Sequence, residues 1–266
     1  MASTLPTCAA LGDSDTVALM LDVEEWGQGP AVVLLHGMPH PISDYAPVIE
    51  RLRGTHRVIA PYLPGYGKSP RLTPYELPRV RDLIIDALAA RGVQRASVVG
   101  FSQGVLHALA LALDPRLDVT SVVALAGHPG YRADEPHPQT RGFIATLRAG
   151  ADLTSPQWRA MAAGRFTAKP EFGEAVAGWL SIVPADVLAD EMEGALAIDL
   201  RPRLAEIRVP VHVRVGDRDP AVLPATARQI SDGCPHGTLE IVPGLGHAQC
   251  LEDPSGTAEY VARAVG

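Results

Sequence analysis

Short apolar runs alternate with longer stretches of helical periodicity along most of the chain. Four such runs before residue 129 are short and apolar, as buried strands are: "PAVVLLHG", "HRVIAPYLPG", "ASVVGFS" and "VTSVVALAG". Two more, "VPVHVRVGD" and "GTLEIVPG", follow residue 206. Helical stretches such as 77–92 place their apolar residues on one face. This alternation predicts an α/β fold with a mostly parallel, doubly wound sheet.

The alternation is interrupted at two places. Near the start, "TVALMLDVEEWG" (16–27) predicts an early strand pair or the edge of a hairpin. Between 129 and 206 the chain shows helical pieces and prolines but no convincing strand, and "SPQWRAMAAGRF" and "PADVLADEMEGALAIDL" are two such pieces. We therefore predict an α/β core made of residues 1–128 and 207–266, interrupted by a helical lid at 129–206. Ligands of open α/β sheets bind at the carboxyl ends of the strands, so the lid is expected to cover that edge.

Composition narrows the classes of partner and compartment. The 266 residues carry a net charge of −7 without any run of lysine or arginine, which argues against nucleic acid or an anionic membrane surface as a partner. The three cysteines, Cys8, Cys234 and Cys250, are odd in number and widely spaced, which indicates reduced thiols. Neither a signal peptide nor an apolar run of membrane-spanning length is visible, so we expect a cytoplasmic protein.

One glycine-flanked serine stands where a predicted strand meets a predicted helix. Residues Gly100 to Gly104 read G-F-S-Q-G, with Ser102 at the centre. In a glycine-rich chain this pattern also arises in ordinary tight turns. Its position after a strand and before a helix instead favours a sharp turn that exposes a nucleophilic hydroxyl, with the glycines making room for neighbouring backbone.

A serine nucleophile needs a base within hydrogen-bond reach and a third group that orients the base. His247 lies in a glycine-rich loop, "PGLGHAQCLEDP", just after the last predicted strand. Asp217 and Asp219 both follow the strand "VRVGD", and either carboxylate could orient the imidazole, although an aspartate in this position also caps turns. The order Ser, Asp, His is that of one hydrolase fold.

Four motifs, "LLHGMP", "LPGYGKS", "VVGFSQG" and "VGDRDP…PGLGH", occur in an order that resembles the α/β-hydrolases with a lid and a single domain, and the resemblance covers nearly the whole chain. It implies that the acid stands three residues after the glycine that ends its strand, which selects Asp219 over Asp217. It also implies an oxyanion hole made by the backbone N–H groups of Met38 and Gln103, and no metal or organic cofactor. Tyr62 departs from the pattern, since related chains commonly have an aspartate there.

The resemblance implies a serine hydrolase that cleaves an ester or similar acyl bond of a small, largely apolar substrate through an acyl-enzyme. The same triad would also serve hydrolysis of a C–C bond, thioester or amide, or acyl transfer and cyclisation. An alternative of another class is a receptor that retains the triad and binds a small ligand. The expected partner is a small acyl substrate, with contacts at His128, Tyr45, Trp158 and Trp179.

Overall fold

The computed structural model of the protein describes residues 19–132 and 134–266. Cys8 and the first residues of the predicted early strand pair, 16–18, lie outside the described residues.

A seven-stranded sheet runs through the described residues in the order β1-β3-β2-β4-β5-β6-β7. Only β1 is antiparallel to its neighbour, and the other neighbouring pairs are parallel. The predicted α/β fold with a mostly parallel sheet is therefore confirmed. The strands are β1 (Val23–Trp26), β2 (Ala31–Leu35), β3 (Arg57–Pro61), β4 (Arg95–Phe101), β5 (Asp118–Leu125), β6 (Val211–Gly216) and β7 (Gly237–Val242).

Helices cover both faces of this sheet. Alternate residues of β2 enter different apolar clusters: Val33 and Leu35 pack in one, and Val32 and Leu34 in the other. The helices are α1 (Ala46–Leu52), α2 (Leu77–Ala89), α3 (Gly104–Ala112), α4 (Pro138–Arg148), α5 (Pro156–Phe166), α6 (Gly173–Gly178), α7 (Ala185–Leu196), α8 (Pro224–Gly233), α9 (Gln249–Glu252) and α10 (Pro254–Val265), with short 3₁₀ segments at Ile42–Tyr45, Pro170–Phe172, Trp179–Ser181 and Arg201–Glu206.

The described part of the segment 16–27 forms a single edge strand, which corrects the predicted strand pair. Strand β1 pairs with β3, with Val23 opposite Pro61, and does not form a hairpin with β2. Gly27 and Gly29 have φ values of 70° and 122°, and a Cβ on either would collide with carbonyl oxygens of the 53–56 turn. The chain therefore turns closely around the end of α1 and passes β3 before it enters β2.

Between β5 and β6 the described residues form helices α4 to α7 and no strand. Of the two pieces predicted to be helical, 155–166 corresponds to α5, and 184–200 is helical in α7 only as far as Leu196. An isolated bridge joins the ends of the segment: the Tyr131 N–H donates to Ile198 O at 2.7 Å, and the Leu200 N–H donates to Pro129 O at 2.8 Å. The division of the chain into a core and a lid at residues 129 and 206 stays a prediction.

A buried carboxylate ties this segment to the loop that follows β3. Asp190 on α7 is 4% exposed and receives hydrogen bonds from Arg71 (2.6 Å) and Thr73 (2.9 Å). Arg148 on α4 lies 2.6 Å from its other oxygen. One side chain thus connects α4, α7 and the 71–73 segment, and these pairs satisfy the charge that burial would otherwise penalise.

No single helix of the described residues is both long and apolar enough to cross a membrane. A bent pair of segments, Pro170–Ser181 and Ala185–Leu196, reaches that length and composition only when taken together, with a bend of 94°.

A second carboxylate on α7 is buried without a countercharge. Glu191 is fully buried, and the hydroxyl of Tyr66 donates to one of its oxygens at 2.6 Å. The other oxygen has no hydrogen-bond partner among the described residues. Burial raises the pKa of Glu191 to about 7, against the opposing effect of the Tyr66 hydrogen bond.

We predict that Glu191→Gln removes a pH-dependent part of the stability. Because the folded-state pKa of Glu191 is raised from 4.5 to about 7, its contribution to folding is largest at acid pH and is lost as pH rises through that interval. The free energy of unfolding of the native protein, relative to the variant, should fall by about 3 kcal/mol across it. Urea unfolding at a series of pH values measures this difference.

The matched control is Glu193→Gln, which removes an exposed carboxylate from the same helix. Parallel pH profiles for the native protein and Glu191→Gln would contradict the prediction.

Candidate active site

Ser102 occupies a strained turn between β4 and α3. Its φ is 52°, in the left-handed region that residues with a side chain rarely adopt. Its backbone N–H donates to Leu125 O at 2.8 Å, which fixes the turn against the end of β5. The serine side chain therefore lies at the carboxyl edge of the sheet, at the start of a helix.

Three glycines allow the backbone to pack closely around this turn. A Cβ on Gly100 would lie 2.6 Å from the carbonyl oxygen of Gly104. A Cβ on Gly104 would overlap the carbonyl oxygen of Leu35. A Cβ on Gly37 would lie 3.0 Å from the Ser102 Cβ. The glycines thus set how closely β2, β4 and α3 approach, and so where the hydroxyl sits.

Ser102, His247 and Asp219 form one continuous hydrogen-bonded chain. Ser102 Oγ lies 3.0 Å from His247 Nε2, and His247 Nδ1 lies 2.9 Å from Asp219 Oδ2. The second Asp219 oxygen accepts the N–H groups of Ala221 and Val222, both at 2.8 Å. The carboxylate can only accept, so it selects the imidazole tautomer with the proton on Nδ1 and leaves Nε2 to accept from the serine.

Asp217 has a different environment. It is exposed, and its Oδ1 accepts the Gly244 N–H at 2.7 Å, so it caps the turn between β7 and the histidine loop. Of the two aspartates that the sequence left open, the structure brings Asp219 to His247 and keeps Asp217 at the surface.

The histidine loop is held from both sides. Glu252 of α9, which is buried, accepts the Gly246 N–H at 2.7 Å and the Thr167 hydroxyl at 2.8 Å. The Ala248 N–H donates to Phe166 O at 3.0 Å at the end of α5. The residues on both sides of the imidazole are therefore fixed to the core and to the helical segment.

Arg214 supports the same region from β6. It is 2% exposed and donates to Gln249 Oε1 (3.1 Å), Thr257 Oγ1 (2.9 Å) and Asp253 Oδ2 (2.5 Å). Neither Arg214 nor Glu252 was predicted from the sequence. An arginine between Val213 and Val215, inside an apolar strand, was the available signal, because a buried charge requires partners.

Met38 and Gln103 flank Ser102 in the cavity lining. Among the hydrogen bonds of the described residues, none uses the backbone N–H of either residue. Neither N–H group therefore has a partner among the described residues, and the oxyanion hole formed by Met38 and Gln103 stays a prediction.

The loop with Tyr62 is braced from elsewhere in the chain. Asp22 Oδ2 accepts the Lys68 N–H at 3.1 Å, and Ser69 Oγ donates to Tyr62 O at 2.6 Å. The Tyr62 hydroxyl donates to Glu24 on the edge strand. A carboxylate from the segment before β1 therefore holds the loop in which position 62 lacks an aspartate.

The serine opens into a mostly apolar cavity of about 120 Å³. About half of its wall comes from the segment between β5 and β6, where α5 and α7 each contribute residues four apart. The lining residues are Met38, Pro39, Ser102, Gln103, His128, Ala221, Val222 and His247, together with Tyr131, Phe143, Met161, Arg165, Phe166, Leu180, Leu188 and Met192.

Of the four predicted substrate contacts, only His128 lines this cavity. Tyr45 is fully buried and donates its hydroxyl proton to Leu35 O at 3.1 Å. Trp158 packs on Phe143, with ring centroids 5.1 Å apart, and Trp179 donates its indole N–H to Asp44 at 2.9 Å. All three rings are buried and held by these contacts, and none of them lines the cavity.

No group of three or more His, Cys, Asp or Glu side chains among the described residues could hold a metal ion. The two described cysteines, Cys234 and Cys250, are free and buried, and burial raises the pKa of both thiols, which disfavours the reactive thiolate.

The chain is similar in sequence and in fold to known hydrolases. Residues 32–260 match the model of the alpha/beta hydrolase family. The chain is 30% identical over 244 residues to the pimeloyl-[acyl-carrier protein] methyl ester esterase of Chromobacterium violaceum, covering 87% of this chain and 92% of that protein. It is also 30% identical over 247 residues to a putative carbamate hydrolase of a Caulobacter species, covering 85% and 88%. A solved hydrolase from Pseudomonas aeruginosa has a similar fold, with a TM-score of 0.83, 21% identity, and 95% and 100% of the chains covered.

We predict that Gly104→Ala destabilises the protein by about 1–3 kcal/mol or more, because the added methyl group overlaps the carbonyl oxygen of Leu35 in a packed core. Guanidinium unfolding measures the loss.

The control, Gly164→Ala, lies in α5 with open space around the added methyl group. It should be neutral or stabilising by up to about 1 kcal/mol. Equal effects of the two substitutions would contradict the role assigned to the close approach.

Proposed function

The chain belongs to the alpha/beta hydrolase family, and we propose that it hydrolyses carboxylic esters through Ser102, His247 and Asp219. The observation that carries the proposal is the hydrogen-bonded chain from Ser102 Oγ through the imidazole to the buried Asp219 carboxylate, which begins in an apolar cavity. Two relatives support it, since one is named an esterase and the other a putative hydrolase of carbamates.

The geometry fits a two-stage acyl transfer. His247 Nε2 takes the Ser102 proton as Oγ attacks the ester carbonyl, and the oxygen of the tetrahedral intermediate is held by the N–H groups of Met38 and Gln103. The imidazolium, stabilised by Asp219, then gives the proton to the departing alkoxide. Water repeats the sequence on the acyl-enzyme and releases the acid. Each oxyanion donor is worth about 3 kcal/mol of transition-state stabilisation.

The cavity favours a small acyl group. Its walls are dominated by methionine, leucine and phenylalanine side chains, and a volume of about 120 Å³ is small for a ligand site. Carbamate hydrolysis on the same triad is the second candidate, favoured by the 30% identity to the putative carbamate hydrolase. Relative kcat/KM values for matched ester, carbamate, thioester and amide substrates separate these chemistries.

We predict that Ser102→Ala abolishes both fluorophosphonate labelling and ester turnover. The native protein should label, because the probe reacts with a serine activated by its histidine. Turnover of p-nitrophenyl acetate should fall by roughly 10⁴-fold or more in the variant. Labelling and hydrolysis that persist in Ser102→Ala would overturn the proposal.

A matched pair of substitutions tests the acid. Asp219→Asn should lower kcat by roughly 10³- to 10⁴-fold, because the amide can donate to Nδ1 and so favours the wrong imidazole tautomer. Asp217→Asn makes the same chemical change at the surface turn and should leave kcat nearly unaltered. Steady-state kinetics distinguishes them, and a larger loss in Asp217→Asn would reverse the assignment.

A further inference from the structure

A second pocket of about 240 Å³ adjoins the catalytic cavity and shares a wall with it. Three arginines, Arg132, Arg165 and Arg201, line this pocket, which is called the arginine pocket below. The residues that line both spaces are His128, Tyr131, Arg165, Ala221 and Val222. The two spaces therefore lie side by side, and these shared residues, the common wall, would contact a ligand that occupies both.

Charged side chains surround the arginine pocket. Three arginines and Glu135 line it, and Asp134 and Asp199 pair with two of the arginines from outside the lining, so these charges sum to 3 − 3 = 0 and Arg165 is the arginine without a paired carboxylate among the described residues. Arg132 is paired with Asp134 and Glu135, and Arg201 with Asp199.

Of the three arginines that line the arginine pocket, Arg165 is the one that can bind a ligand without first breaking an ion pair among the described residues. Its guanidinium forms no hydrogen bond or ion pair with any residue that the structure describes. It lies on α5, is exposed, and reaches both the catalytic cavity and the arginine pocket. A guanidinium in this state presents its planar set of donors to a carboxylate.

His128 adds a neutral donor to the common wall. The Gly130 N–H donates to His128 Nδ1 at 3.2 Å, so Nδ1 is the acceptor nitrogen and the ring proton lies on Nε2. Burial lowers the pKa of His128 to about 4, which keeps the ring neutral at physiological pH. Its Nε2–H forms no hydrogen bond with the described residues.

Tyr131 lies edge-on to His128, with ring centroids 5.1 Å apart. Its hydroxyl also forms no hydrogen bond with the described part of the chain, so the common wall offers a tyrosine hydroxyl, an imidazole N–H and a guanidinium.

We propose that the preferred substrates are esters that carry a free carboxylate, with the ester carbonyl at Ser102 and the carboxylate in the arginine pocket, held by Arg165 and by the donors of His128 and Tyr131. This inference rests on the proposed esterase function and names its substrate class. The chain as a whole is acidic, and the unpaired guanidinium of Arg165 next to the nucleophile provides the local positive charge that an anionic substrate needs.

Two matched substrate pairs test it: phenyl butyrate against 3-carboxyphenyl butyrate, with the charge on the alcohol side, and dimethyl against monomethyl glutarate, with the charge on the acyl side. In at least one pair the native enzyme should prefer the charged ester. Arg165→Gln should lower kcat/KM for that ester ~10- to 100-fold more than kcat/KM for its neutral partner, mainly through KM. The preference should also weaken as ionic strength rises.

Arg159→Gln is the control, because it removes the same charge from the same helix at a residue that lines neither space and is paired with Glu174. It should preserve the preference. The proposal is overturned if the native enzyme prefers the neutral ester in both pairs, or if Arg165→Gln and Arg159→Gln behave alike.

A binding experiment separates this proposal from the esterase proposal. Calorimetry with Ser102→Ala protein and the preferred charged ester measures affinity without turnover, and Arg165→Gln in that background should weaken binding ~10- to 100-fold. Failure of the esterase function alone would appear as native protein that neither labels with fluorophosphonate nor hydrolyses the neutral esters. Failure of the carboxylate proposal alone would appear as neutral-ester turnover with no effect of Arg165 on binding.

Discussion

The close approach of three backbone segments around Ser102 is the constraint on which the rest of the site depends. Gly37, Gly100 and Gly104 let the ends of β2 and β4 and the start of α3 pack within van der Waals contact. That packing holds the serine at a φ of 52°, a backbone conformation that a residue with a side chain rarely adopts without such support. The strain is sustained because the surrounding sheet is buried on both faces, so the core determines the position of a single hydroxyl.

The acid and the base come from loops, and here the fixing interactions are polar. Asp219 is immobilised by two backbone N–H groups, and the residues beside His247 are fixed by Glu252 and by the end of α5. Buried and fully partnered, these groups have few alternative arrangements, which keeps the imidazole between its two neighbours before substrate arrives. The cavity wall shares this support, since Phe166 both lines the cavity and accepts the Ala248 N–H.

The sequence was most informative where local pattern and fold agree. The parallel sheet follows from apolar runs of strand length, and the position of Ser102 from a motif whose geometry is local. The separation of Asp219 from Asp217 needed a family resemblance, because two residues on one turn differ only in which direction they face. Contacts that depend on packing across the helical segment were poorly predicted: Trp158 and Trp179 have the composition of pocket residues, yet they lie behind Phe143 and Phe166, and no periodicity distinguishes the two layers.

The bridge between Gly130 and Asp199 affects which parts of such a protein can diverge during evolution. Because the chain leaves β5 and returns towards β6 through two hydrogen-bonded stretches side by side, about 70 residues depart from and rejoin the sheet at one point. The pairing of β5 with β6 therefore does not depend on the length of the chain between residues 131 and 198. Substrate preference can therefore diverge through the residues of this segment that line the cavity, as long as Phe166 and Thr167 keep their contacts with the histidine loop.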